Sequence, residues 1–299
     1  MVKRRTAQFT SRSIKTSMKA DGLRLAMSMV DLTTLEGKDS PEKVRALCAK
    51  ARNPAGGSGA LKRPIPPVAA VCVYPTLVRT AREALQGSDV KVAAVATGFP
   101  SGQYPLDVRL RDVADAVDAG AHEIDMVISR GLFLAGKFDE IRHEIRETKA
   151  ACRHAHLKII LETGELETLD NARRASDLAI EASMSVPGAK PLEDGEVFIK
   201  TSTGKVQPAA TMQVTLVMLQ AIADTHLRGG PRIGMKPAGG IRTAKSALHY
   251  LVMVKETLGD AWLAPHLFRF GASALANDLL RQVLKLERGT YAAAWDLAE

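Results

Sequence analysis

The chain has 299 residues, 46% hydrophobic and 25% charged, which fits one large or two small globular domains with a core that needs no staples. Its three cysteines, Cys48, Cys72 and Cys152, match no zinc or redox spacing and suit a reducing compartment, so the expected location is cytoplasmic. No apolar run reaches the roughly eighteen residues of a membrane span.

The net charge is +8, and the first nineteen residues supply six of it through Lys3, Arg4, Arg5, Arg12, Lys15 and Lys19. A basic, Ser/Thr-rich start of this kind suits nucleic-acid binding or a mitochondrial transit peptide. The plainer reading is a disordered, solvated extension over residues 1–20, with no nucleic-acid partner. No apolar segment of the kind found in secretory signals follows it.

Beyond the extension, short β-branched runs alternate with longer helical patterns. Strands are expected at Leu25–Val30, Val68–Val73, Val90–Ala96, Glu123–Ile128, Leu157–Leu161, Val197–Lys200, Arg232–Lys236 and Leu267–Gly271. The first helix between them is Pro41–Arg52, with Ser40 as N-cap and Pro41 in its first turn. Thr76–Leu85 follows, then Leu106–Ala119 with Gly120 as its stop. Phe138–His154, Leu169–Ser183, Ala209–His226, Ala244–Leu258 and Ala274–Leu286 complete the series. Regular strand–helix alternation implies parallel pairing, and eight units over residues 21–299 match a single-domain α/β fold, the (β/α)8 TIM barrel. Asn53–Pro67 and Ser185–Gly195 read as surface loops. The second is either a lid or an ordinary insertion.

The chemistry concentrates in two signatures, Phe198-Ile199-Lys200-Thr201-Ser202-Thr203-Gly204-Lys205 and Gly234-Met235-Lys236-Pro237-Ala238-Gly239-Gly240-Ile241-Arg242. In each, a buried strand ends on a lysine, an expensive placement unless the amine has work to do. Thirty-six residues separate Lys200 from Lys236, one strand–helix–strand step, so the two should lie on neighbouring strands. Burial and a like-charged neighbour both lower a lysine pKa, from about 10.4 toward roughly 7–8. Such an amine can form a Schiff base with a carbonyl. Asp125 sits inside the apolar run Glu123–Ile128, either as a general acid or base beside the lysines or as a structural ion pair fixing one of them. Asp31, ending the first strand, is equally a site residue or an anchor for the loop after it. Cys72, near a strand end, reads as a small core hydrophobe outside the catalytic set.

Glycine-containing segments follow the last three strands: Thr203-Gly204-Lys205, Ala238-Gly239-Gly240 and Gly271-Ala272-Ser273. In a barrel these loops and the adjoining helix N-termini form the phosphate site. The histidines and carboxylates form no convincing metal cage, so neither metal nor cofactor is expected.

Together with Val71-Cys72-Val73-Tyr74-Pro75 and Asp31-Leu32-Thr33-Thr34-Leu35, these motifs resemble the deoxyribose-phosphate aldolase family from about Leu23 to Leu297. The resemblance implies a class I aldolase on a (β/α)8 barrel. It makes Lys200 the Schiff-base lysine, Lys236 the lysine that lowers its pKa, and Asp125 a proton relay. Asp31, Thr203, Gly204, Lys205, Gly239, Gly240, Gly271 and Ser273 become substrate and phosphate contacts. The partner implied is a small sugar phosphate, with no membrane association and a homodimer as one assembly open to the chain. Many relatives carry a second serine or a threonine where this chain has Ala274. Some end on a tyrosine that reaches the site, which leaves open whether Tyr291 replaces it. The rival readings are a Schiff-base aldolase or transaldolase for another sugar phosphate, and a barrel without catalysis that binds phosphorylated ligands or nucleic acid.

Overall fold

The structure, a computed structural model, describes residues 1–56 and 61–292. Helices α1 (Val2–Thr10) and α2 (Thr16–Ser28) precede β1 (Val30–Thr33). Then α3 (Pro41–Arg52) leads to β2 (Ala70–Val73), α4 (Val78–Ala84) to β3 (Lys91–Val95), and α5 (Leu106–Asp118) to β4 (Glu123–Val127). Helices α6 (Arg130–Leu134) and α7 (Phe138–Ala151) lead to β5 (His156–Ile160), α8 (Leu169–Met184) to β6 (Val197–Lys200), and α9 (Met212–Leu227) to β7 (Gly234–Lys236). Helix α10 (Ala244–Leu258) leads to β8 (Phe270–Ala272), and α11 (Leu275–Arg288) follows. All strand pairs are parallel, in the order β7-β6-β5-β4-β3-β2-β1-β8. Bridges from Met235 to Phe268 and from Ala238 to Gly271 bring the two ends together, so the expected TIM barrel is formed.

Local chemistry sets the helix starts. Ser40, Thr168, Thr211 and Thr243 cap α3, α8, α9 and α10 by accepting from a backbone N–H three residues on. Strand alternation then sorts the core into two parts. Val71, Val92, Ile124, Met126, Ile159 and Ile199 face outward into the packing between strands and helices. A small apolar cluster of Leu35, Cys72, Ala93 and Val95 lies apart from it. The other side chains directed into the barrel include a set of buried charges.

Two expectations are corrected. The run Leu25–Val30 is not a strand: α2 extends to Ser28, and β1 begins at Val30. Leu23, Ala26 and Met27 are the buried face of a helix, a pattern that a short apolar run does not distinguish from a strand. The basic extension is not disordered over its described residues, because α1 is a helix that packs on α9 and α10 with Phe9 buried. Helix α9 explains why. Its sequence, MQVTLVMLQAIADTHL, is apolar nearly all round, so it needs cover on its outer side as well as against the barrel. The barrel domain expected over 21–299 therefore gains α1 as a packed element, and residues 293–299 lie outside those described.

The segment between α8 and β6, which holds Ser185–Gly195, enters the barrel at the start of a strand. It lies at the end opposite Lys200, so it is no lid. Asp194 there pairs with Arg232, and the Gly195 N–H donates to the Arg232 carbonyl.

Burying a phenylalanine contributes about 1.5–3 kcal/mol. Phe9→Ala is therefore expected to destabilise the protein by about 2 kcal/mol, whereas Arg4→Ala on the exposed side of the same helix should change stability by less than about 0.5 kcal/mol. Urea unfolding of the two variants checks this, and equal midpoints would mean that α1 adds nothing to the fold.

Candidate active site

Period-2 alternation directs one charged residue after another into the barrel. Lys200 and Lys236 are register partners on β6 and β7. Lys200 Nζ donates to Asp125 Oδ2 at 2.7 Å, and Lys236 Nζ donates to the same oxygen at 2.8 Å. Lys236 Nζ also lies 2.6 Å from Asp31 Oδ2, an ion pair outside hydrogen-bond geometry. Gly271 on β8 makes room for this lysine, since a Cβ there would stand 3.1 Å from Lys236 Cε and 2.7 Å from Ala238 Cβ.

Beneath this pair lies a second tier. Arg269 donates to Asp31 Oδ1 at 2.7 Å and to Glu123 Oε1 at 2.9 Å. Lys158 donates to Glu123 Oε2 and stands 3.3 Å from Asp125 Oδ1. All seven side chains are buried, and Lys158, Lys236, Asp31 and Asp125 have no exposure at all.

The surroundings set opposite fates for the two lysines. Burial pushes the Lys200 amine down, Asp125 resists, Lys236 pushes it down further, and the balance falls below the ordinary lysine value. For Lys236 burial is outweighed by Asp125 and Asp31, which hold it charged. Burial would raise the carboxylates, but the cations win. Lys200, Lys236 and Lys158 carry Asp125 well below its usual range, and Lys236, Arg269 and Lys158 do the same for Asp31. Arg269 and Lys158 lower Glu123. Burial pushes the Cys72 thiol up to about 11, so it stays protonated and outside the chemistry.

Above Lys200 opens a cavity of about 780 Å³. The loops after β6, β7 and β8 line one side with Thr203, Gly204, Lys205, Gly239, Gly240, Gly271 and Ser273. Gly204, Gly239 and Gly240 all have φ between +80° and +82°, a left-handed backbone that turns N–H groups without a Cβ in the way. The β6 loop is pinned from below: the Thr203 N–H and hydroxyl donate to the buried Glu162, and the Lys205 N–H donates to Thr203 Oγ1 at 3.1 Å. At the rim Lys205 Nζ pairs with Glu36 at 2.9 Å.

The fold thus brings Lys200, Lys236 and Asp125 together and gathers the three loops around one cavity. Asp31 is the exception among the expected substrate contacts. It does not line the cavity but lies sealed between Lys236 and Arg269, an anchor in the charge network. The sequence reading missed Lys158, Glu123 and Arg269. The signal was present, because Glu123 falls two residues before Asp125 on the same strand face, and Lys158 and Arg269 interrupt apolar runs. It also missed Arg242, Lys43 and Lys50, which line the cavity.

A parallel barrel whose loop end carries a buried lysine lowered in pKa, with a second lysine held charged beside it, is an arrangement suited to Schiff-base chemistry. The chain belongs to the DeoC/LacD family of aldolases, whose model matches residues 25–281. It is 46% identical over 303 aligned residues to human deoxyribose-phosphate aldolase, covering 99% of this chain and 92% of that protein. The bovine deoxyribose-phosphate aldolase is 45% identical with the same coverage. Among solved structures, a protein of Toxoplasma gondii ME49 superposes with a TM-score of 0.74 at 23% identity, covering 95% of this chain and all of the other. The tetrameric deoxyribose phosphate aldolase of Aeropyrum pernix gives 0.62 at 24% identity, covering 91% and 97%. At that identity these two likenesses speak for the fold.

The two lysines should separate in stability. Without Lys200, three cations still face three carboxylates, so Lys200→Met is expected to leave the midpoint of unfolding unchanged or raise it while abolishing activity. Lys236→Met leaves two buried carboxylates short of a partner and should cost about 3–5 kcal/mol. Chemical unfolding of both variants at neutral pH decides, and equal losses would contradict the distinction.

Proposed function

We propose that the protein is a class I aldolase that reversibly cleaves 2-deoxy-D-ribose 5-phosphate to acetaldehyde and D-glyceraldehyde 3-phosphate. The observation that carries this reading is the Lys200 amine at the cavity floor, lowered in pKa and 2.7 Å from a carboxylate shared with Lys236. The family and the similarity to the human and bovine enzymes support the substrate.

In this mechanism the free amine of Lys200 attacks the aldehyde carbon of the open-chain sugar, and loss of water gives an iminium. The cation draws in the electrons of the bond between carbons 2 and 3. As that bond breaks, the hydroxyl on carbon 3 loses its proton and becomes the aldehyde of glyceraldehyde 3-phosphate. Carbon 2 remains as an enamine on Lys200, is protonated, and hydrolysis of the resulting iminium releases acetaldehyde. Asp125, with one oxygen bonded to both lysine nitrogens, is the group that passes protons between them. The 5-phosphate lies against the Gly204, Gly239–Gly240 and Ser273 loops, where backbone N–H groups and helix starts favour an anion. The reading extends to a cytoplasmic enzyme, supported by three free, buried cysteines. It also extends to a homodimer, which light scattering on the pure protein would test.

Acetaldehyde with borohydride should leave an ethyl group on Lys200, located by mass spectrometry of the digest. An adduct on Lys236 alone would reverse the roles assigned to the two lysines.

Ala274 occupies the N-cap of α11, lines the cavity and offers no side-chain bond. A hydrogen bond to a charged group is worth about 1.5–3 kcal/mol, or roughly tenfold or more in binding. Ala274→Ser is expected to raise the kcat/KM preference for the 5-phosphorylated sugar over free deoxyribose about tenfold. An unchanged ratio would mean that position 274 does not meet the phosphate.

A further inference from the structure

The buried charges have an order that pairwise contacts conceal. Starting from Asp125, the chain of contacts runs to Lys236 at 2.8 Å, to Asp31 at 2.6 Å, to Arg269 at 2.7 Å and to Glu123 at 2.9 Å. It then passes to Lys158 and returns to Asp125 at 3.3 Å. Three carboxylates and three cations alternate in a closed ring: Lys236 and Arg269 each bridge two carboxylates, and Lys158 bridges Glu123 and Asp125 while lying 4.0 Å from Asp31 across the ring. Lys200 is the seventh group and stands outside the ring, joined to it only at Asp125. Asp125 and Arg269 are opposite members of the ring.

The ring is neutral when all its members are charged. Arg269 is the member that cannot give up its proton, because a guanidinium stays charged throughout the working range of a protein. Asp125 therefore already has two cations before Lys200 arrives, and a proton on Lys200 adds an uncompensated positive charge in a buried site. The other groups around Lys200, including Lys43, Lys50 and Arg242 along the same cavity, are common to the unaltered protein and every variant compared below and so do not enter the difference. Cys72 on β2 is a neutral thiol, β3 contributes Ala93 and Val95, Glu162 beyond β5 bonds Thr203, and Lys205 pairs with Glu36 at the rim.

We propose that Arg269 is a positioning residue for catalysis, which acts through Asp31 and Glu123 to complete a charge-neutral ring and so keeps Lys200 an uncharged nucleophile. The inference rests on the Schiff-base reading of Lys200. It adds a role for a residue that does not line the substrate cavity. Removing Arg269 leaves the ring with one net negative charge. Lys200 then holds its proton more tightly, and activity should appear only at higher pH.

The test compares Arg269→Met, Glu123→Gln and the double variant with the unaltered protein. The readout is the pH midpoint for the acid limb of kcat/KM and for the rate of borohydride trapping by acetaldehyde. Arg269→Met should move the midpoint up by about one unit, which is about a tenfold loss of rate on the acid side and little at high pH. Glu123→Gln removes one anion and should move it down. The double variant restores a neutral set of two cations and two carboxylates, so its midpoint should return to that of the unaltered protein. A merely structural role predicts losses that are uniform in pH and largest in the double variant, and that outcome overturns the proposal. If Arg269→Met does not fold, the step from Glu123→Gln to the double variant still decides, because it alone should carry the upward return. Absence of any adduct on Lys200 in the unaltered protein would instead defeat the Schiff-base reading, a separate result.

Discussion

One oxygen of Asp125 accepts from two lysines, and the interior of the barrel is arranged around that contact. A carboxylate at this depth is stable only with cations beside it, and each cation brought in needs its own carboxylate. The requirement spreads from strand to strand until it reaches Arg269. Hydrophobic layers would fill the same volume at lower electrostatic cost. This barrel keeps its apolar packing mainly outside the strands and gives much of the inside to charge.

That arrangement explains how one chemical type serves opposite ends. Lys200 and Lys236 share a carboxylate oxygen and a register level, yet one lines the cavity and is driven toward the free amine while the other is enclosed and driven toward the ammonium. What separates them is the number of carboxylates each touches, one for Lys200 and two for Lys236. Backbone geometry enforces the difference, because Gly271 leaves space for the Lys236 stem beside β8.

Much of this was legible in the sequence. The alternation of strands and helices gave the barrel, and lysines at the ends of buried runs pointed to the pair that meets at Asp125. Period-2 strand geometry made Asp125 point inward with them. The glycine-containing loops after the last three strands were read together, and they line one cavity. Other parts were hidden for physical reasons. The run Leu25–Val30 has the composition of a strand, but most of it continues a helix, and tertiary packing decided between them. The charge of Lys3, Arg4 and Arg5 masked the single aromatic, Phe9, that docks the first helix. Asp31 was ambiguous because its partners, Lys236 at the end of β7 and Arg269 just before β8, lie far away in the chain. Arg269 itself, between Phe268 and Phe270, looks like an interruption until the ring closes around it.

The segment between α8 and β6 has a practical consequence. It carries no helix or strand from residue 185 to 196, is anchored by Asp194 to Arg232, and emerges at the face remote from the cavity mouth. A chain lengthened or tagged there would project away from incoming substrate. The same segment is thus a natural tether point, through which the enzyme could be fixed to a support with its open end turned outward to the solution.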